Sequence, residues 1–121
     1  MKFSPDLQIT RNLLFTYCIE NSDDIEREDF IVSKNVNDDG ELSELFDKLT
    51  KPVFFSYKVD ERQWHIDTLK YFLKTNDSFD SVFYLFDTYF EDEIIDRKQF
   101  MRTLLQCLVR YQVEFTERPP T

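Results

Sequence analysis

The passage DSVFYLFDTYFEDEIIDR, residues 80–97, sets six carboxylates beside five aromatic rings with no Gly, Pro or His among them. Side chains of these types support three kinds of chemistry. Converging carboxylates can hold a hard cation such as Mg²⁺, which then polarises a phosphoryl group or activates water. Paired carboxyl groups in unlike surroundings can divide into a general acid and a general base. Rings flanked by acids can instead form the rim of a protein-binding surface, where the aromatics carry affinity and the acids steer a basic partner.

The rest of the chain narrows these choices. Gly40 is the sole glycine in 121 residues, which excludes a phosphate-cradling loop and a dinucleotide fingerprint. His65 is the single histidine, which excludes HExxH zinc hydrolysis and multi-His iron sites. No GxSxG elbow marks a nucleophile for it to serve. Four residues before Leu69, His65 is expected at the edge of a helix face. Cys18 and Cys107 lie in apolar settings, FTYCI and LLQCLV, without a CxxC; both are expected as core thiols. NVNDDGELSELF, residues 35–46, nearly spells a calcium loop through Asn35, Asn37, Asp39 and Gly40. Phe46 stands where the bidentate Glu belongs, so the segment reads as a turn and a helix cap. No cofactor and no metal is expected.

The net charge of −9 is local. Residues 21–47 carry ten acids against Arg27 and Lys34, and residues 80–96 carry six acids and no base. Such a distribution disfavours nucleic acid and anionic membrane as partners and favours a basic protein. No run approaches the roughly 18–20 apolar residues of a membrane span, and MKFSPDLQITR lacks a basic n-region and an apolar h-region, so a cytoplasmic protein is expected.

These residues need a scaffold. LLFTYCI (13–19), DFIVSK (29–34), PVFFSYKV (52–59), FDSVFYLF (79–86) and a last short RYQVEF (110–115) read as strands. Helices are expected over GELSELFDKLT, with Leu42, Leu45, Phe46 and Leu49 on one stripe behind an Asp38–Glu41 capping box, and over ERQWHIDTLKYFLK, with Ile66, Leu69, Phe72 and Leu73. A third starts at Asp96, with Gln99 completing its box, an Ile95–Phe100 staple, and a stripe of Phe100, Leu104, Cys107, Leu108 and Tyr111. Left-handed turns fall to Asn21, Asn35, Asn37 and Asn76. The alternation predicts an α+β or α/β fold: one small sheet of about three to five strands packed against about three helices. A single globular domain over 1–121 is expected, with a frayed tail at 117–121.

In that arrangement residues 87–95 form the loop beyond a strand's carboxyl end, where α/β folds gather ligands. With Asp60 and Glu61 at the end of a parallel neighbour, a Mg²⁺-dependent phosphoryl-transfer or nuclease-like enzyme would use Asp60, Asp87 and Asp92. No phosphate loop, DxD or suitably spaced Lys accompanies them. The competing reading makes a partner-binding surface of Asp87, Tyr89, Phe90, Glu91, Asp92 and Glu93, beside Tyr84, with Asp23, Asp24, Glu26 and Glu28 as an acidic flank. In the plainest reading Tyr89 and Phe90 close the core and the acids are solvated faces. A small acidic secretion-type chaperone, dimerising through an apolar face, is a further alternative.

In its size, its acidity, its wealth of Tyr and Phe and its lack of catalytic signatures, with TYFEDE at 88–93 facing the partner, the chain resembles the small cytosolic immunity proteins of bacterial toxin–immunity pairs, including those of contact-dependent growth inhibition. The resemblance implies a non-enzymatic inhibitor that neutralises a basic, nuclease-like toxin domain; a monomer or weak dimer is expected. It assigns no role to any single residue.

Overall fold

The structure is a computed structural model that describes residues 4–18, 25–83, 88, 90 and 93–117. The described chain is built from helices: α1 (Leu7–Leu13) with a 3₁₀ turn (Leu14–Tyr17), α2 (Ile25–Val32), α3 (Asp39–Leu45), a π-helical turn (Phe46–Thr50), α4 (Lys51–Ser56), α5 (Val59–Lys74), α6 (Asp80–Phe83) and α7 (Arg97–Glu117). No strand occurs among the described residues, and the extended pairing described there is a single antiparallel bridge between Cys18 and Thr88.

The expected α+β or α/β sheet is therefore corrected to an all-helical packing. A short unbroken apolar run cannot be assigned to strand or helix by periodicity, and burial here follows the helical period. In the first run Leu13, Leu14, Tyr17 and Cys18 are buried while Phe15 faces solvent. In DFIVSK only Ile31 is fully buried, the single buried residue of α2. Residues 79–83 bury Phe79 and Val82 at i and i+3, whereas 84–86 lie outside the described residues. RYQVEF simply prolongs α7, which reaches Glu117; residues 118–121 of the expected tail lie outside the description.

The run beginning at Pro52 shows how one proline can sit within a longer helical stretch. Proline lacks the N–H for the helical ladder and its ring collides with the carbonyl of residue i−4. The chain widens into i→i−5 pairing at Phe46–Thr50, where the Lys51 amide bonds the Phe46 carbonyl, and places Pro52 in the first turn of α4. The Tyr17 hydroxyl donates to the Leu45 carbonyl at this junction (3.1 Å) and lies 2.7 Å from the Thr50 hydroxyl.

The expected helices form. Asp38 caps α3 by accepting the Glu41 amide at 3.1 Å, and Leu42, Leu45 and Phe46 are buried. Asp96 accepts the Gln99 amide at 3.0 Å ahead of α7, whose buried stripe is Phe100, Leu104, Cys107, Leu108 and Tyr111 with Met101 beside it. Three details differ: the Glu41 side chain accepts the Asn35 amide and the Gln99 side chain bonds Asp39, so neither closes its expected capping box, and Ile95 is 84% exposed, so it staples nothing. Ile94 packs against the core in its place. Asn76, at φ 60, ends α5 in a left-handed conformation, with the Asp77 amide returning to the Phe72 carbonyl at 3.0 Å. Asn35 and Asn37 do not adopt that conformation, but Phe79 does, at φ 61, its amide held by the Asp77 carboxylate at 2.7 Å.

At 21 residues, or about 30 Å of helix, α7 is the spine. Helices α3, α4 and α5 pack on it, and α1 packs on α5 and α6. Phe100 is a meeting point of rings, with Phe46, Phe83 and Phe90 at centroid distances of 5.5, 5.6 and 6.0 Å.

Candidate functional site

The loop before α7 reaches its position through side-chain bonds made by Asn37, which follows α2. The Asn37 side chain donates to the Glu93 carbonyl (2.8 Å) and accepts the Ile95 amide (2.9 Å), fixing residues 93–95 across 56 and 58 positions of sequence. Asp39 accepts the Gln99 side-chain Nε2–H at 3.0 Å and the Thr103 hydroxyl at 3.4 Å, tying α3 to α7. Between these ties lies an open cavity of about 210 Å³. Buried Val36, Leu42 and Phe100 line it together with Asp39, Asp96 and Ile95, all exposed. The acids Asp38 and Glu93 are also exposed, and among the described residues no Lys or Arg bridges Glu93, Asp96, Asp38 or Asp39.

The expected partner-binding residues divide. Glu93 belongs to this acidic edge. Glu26 and Glu28 lie in the first turn of α2, Glu26 exposed and Glu28 half-buried, with no ion pair to a described residue. Phe90 turns inward: its ring is half-buried against the core, 5.4 Å from Tyr17 and 6.0 Å from Phe100. Asp87, Tyr89, Glu91, Asp92, Asp23, Asp24 and Tyr84 lie outside the described residues. The strand ends on which a Mg²⁺ site depended are absent among the described residues. Asp60 is exposed in the first turn of α5 with its carboxylate on the Glu61 amide (2.9 Å), and no cluster of metal-ligating side chains occurs among the described residues. The calcium-like loop behaves as a turn and cap: Asn35 accepts the Asn37 amide, and Glu41 accepts the Asn35 amide.

His65 is more deeply placed than the edge of a helix face. It is 3% exposed, flanked by Phe54 at 6.2 Å and Tyr57 at 4.8 Å, and its Nδ1 has no hydrogen-bond partner among the described residues. Burial pulls its pKa down from 6.5 to about 4, with Glu61 opposing weakly, so the ring is neutral at neutral pH. Arg62, the next helical position around, is equally buried. Its guanidinium donates to the Gln112 side chain (3.0 Å) and the Tyr57 carbonyl (2.6 Å) and lies 4.1 Å from the Phe115 ring.

On the far end of α3, Tyr111 and Arg110 both donate to the Asp47 carboxylate, and Cys107 is buried near Ser43. Burial raises the Cys107 thiol pKa, which suits a core thiol and not a nucleophile.

Sequence reasoning missed the Asn37 clamp and the exposure of Ile95. The clamp joins residues more than 50 positions apart and leaves no local signal. The consecutive Ile94–Ile95 pair offered two candidates for one inward position, and only packing chose between them. No family model, curated protein or solved structure matches the chain.

Proposed function

We propose that the chain is a non-enzymatic inhibitor that works in the cytoplasm by binding a basic protein partner, as an immunity protein does for its toxin. The observation that carries this reading is the Ile95 side chain, 84% exposed beside an apolar-floored cavity whose nearby carboxylates have no bridging cation among the described residues. An exposed aliphatic anchor inside an acidic rim supplies apolar contact at the centre and electrostatic steering around it. The Asn37 bonds hold the anchor in place before a partner arrives, which lowers the ordering cost of association. Phe90 is not part of the face. The cavity suits a lysine or arginine side chain, whose stem would lie on Val36, Leu42 and Phe100 and whose charged head would meet Asp39 and Asp96.

The test is a toxin domain encoded beside this gene, co-expressed with the chain. Wild type should neutralise it, and Ile95→Arg and Glu93→Lys should weaken binding at low salt, chiefly through slower association for Glu93→Lys. Both positions are exposed, so their thermal melts should match wild type. Equal affinity of wild type and both variants removes this face from the interface, and a partner without a basic surface removes the proposal.

A further inference from the structure

Helix α2 turns a second acid-flanked apolar face outward. Ile25 is 74% exposed and Val32 40%. Seven residues apart, they stand nearly in line on a helix of 3.6 residues per turn, about 10 Å along its axis. Glu28 and Asp29, three and four residues after Ile25, fall between them on the same face, and Glu26 lies beside it. Glu26 and Asp29 are exposed and Glu28 is half-buried, and none of the three forms an ion pair with a described residue. The cations near α2 are placed elsewhere. Arg27 is half-buried with its Nε shut off from solvent, Lys34 pairs with Glu44 of α3 at 2.5 Å, and the Lys48 ammonium lies 4.2 Å from the centre of the Phe30 ring. The inner side of the helix carries Ile31, fully buried, and Phe30, packed against the core. Two aliphatic side chains and the acids between them are thus presented outward by a helix whose other side is anchored.

We propose that this outward face of α2 docks into a groove of the basic protein partner inferred above, a step that rests on that reading. The groove has an apolar floor, which takes Ile25 and Val32, and edges bearing Lys or Arg, which meet Glu26, Glu28 and Asp29. Apolar anchors at i and i+7 are the pattern by which an amphipathic helix enters a groove. Acids that have no cation of their own chain beside them are complementary to a basic rim. A second copy of this chain, itself of net charge −9, is repelled by them and is the poorer occupant. In such a contact the acids set how fast the complex forms, and the buried aliphatics set how slowly it parts.

The probe is the toxin domain encoded beside this gene, with association and dissociation rates measured against the full chain. Replacing Ile25→Ala and Val32→Ala together should speed dissociation by roughly tenfold at low and high salt alike. Asp29→Lys should slow association by roughly threefold at low salt, a difference that shrinks as salt rises. Asp67→Lys on α5 makes the same change in net charge and should slow association far less. Circular dichroism checks the fold of each variant, and Ile25→Ala alone, at the more exposed position, decides if the alanine pair does not fold. Faster dissociation of the alanine pair supports the proposal whether or not Ile95→Arg weakens the complex. Unchanged dissociation of that pair, in a complex that Ile95→Arg does weaken, overturns it and leaves the Ile95 edge standing. Wild type that fails to bind the toxin domain removes both. A dimer of the chain alone that the alanine pair dissociates assigns the face to a second copy and overturns the proposal.

Discussion

The buried His65 makes folding stability depend on pH in a direction that can be worked out from its surroundings. The folded chain holds the ring neutral with a pKa of about 4, whereas an unfolded chain titrates it near 6.5. The unfolded state therefore binds the proton first. Stability from this residue is whole above pH 6.5 and falls as the pH drops through the interval from 6.5 to about 4. Each tenfold difference in proton affinity is worth about 1.4 kcal/mol, so the full interval amounts to about 3 kcal/mol. Roughly 2 kcal/mol of that should be gone by about pH 5, before most carboxylates titrate. The assay is urea unfolding across this range for wild type and His65→Phe. Phenylalanine keeps a ring between Phe54 and Tyr57 and breaks no hydrogen bond at Nδ1, so the variant should be at least as stable as wild type at neutral pH. Its stability should then lack the loss between pH 6.5 and 5. Parallel decline of the two proteins, or a His65 proton resonance titrating near 6.5 in the folded chain, would refute the reasoning.

Three further perturbations probe the scaffold. Asn76→Ala keeps the β-carbon at φ 60 but loses the short amide that makes Asn tolerant of this region, and should cost about 1 kcal/mol, with Asn76→Gly recovering most of it, as read by chemical denaturation. Tyr17→Phe strips a bond from the buried Thr50 hydroxyl and the Leu45 carbonyl beside the π turn and should lower stability by about 1–3 kcal/mol. Cys107, buried with its thiol pKa raised by burial, should react with a thiol reagent far more slowly in the folded chain than in denaturant; equal rates would show that the α3–α7 contact opens readily.

Helix positions were legible wherever the sequence carried both a period and a cap. Asp38 before Leu42, Leu45 and Phe46, and Asp96 before Phe100 and Leu104, specify inward face and start point through contacts within one or two turns. The buried character of Cys18 and Cys107 was equally local. The runs around Leu13, Phe30, Val53 and Val82 were not legible as helix, because β-branched and aromatic residues fill strands and buried helices alike. Their state followed from which neighbours were there to cover them. The acidity of the chain and its concentration in two runs are fixed by residue types alone. Which acids share a surface is not: Asn37 reaching to Glu93 and Ile95, Phe90 turning to Tyr17, and His65 closing under Tyr57 are contacts between distant segments or a consequence of their packing. Short-range forces write their pattern along the chain, where spacing reveals it. Long-range packing selects among residues that look equivalent along the chain, and only the assembled helices make that selection.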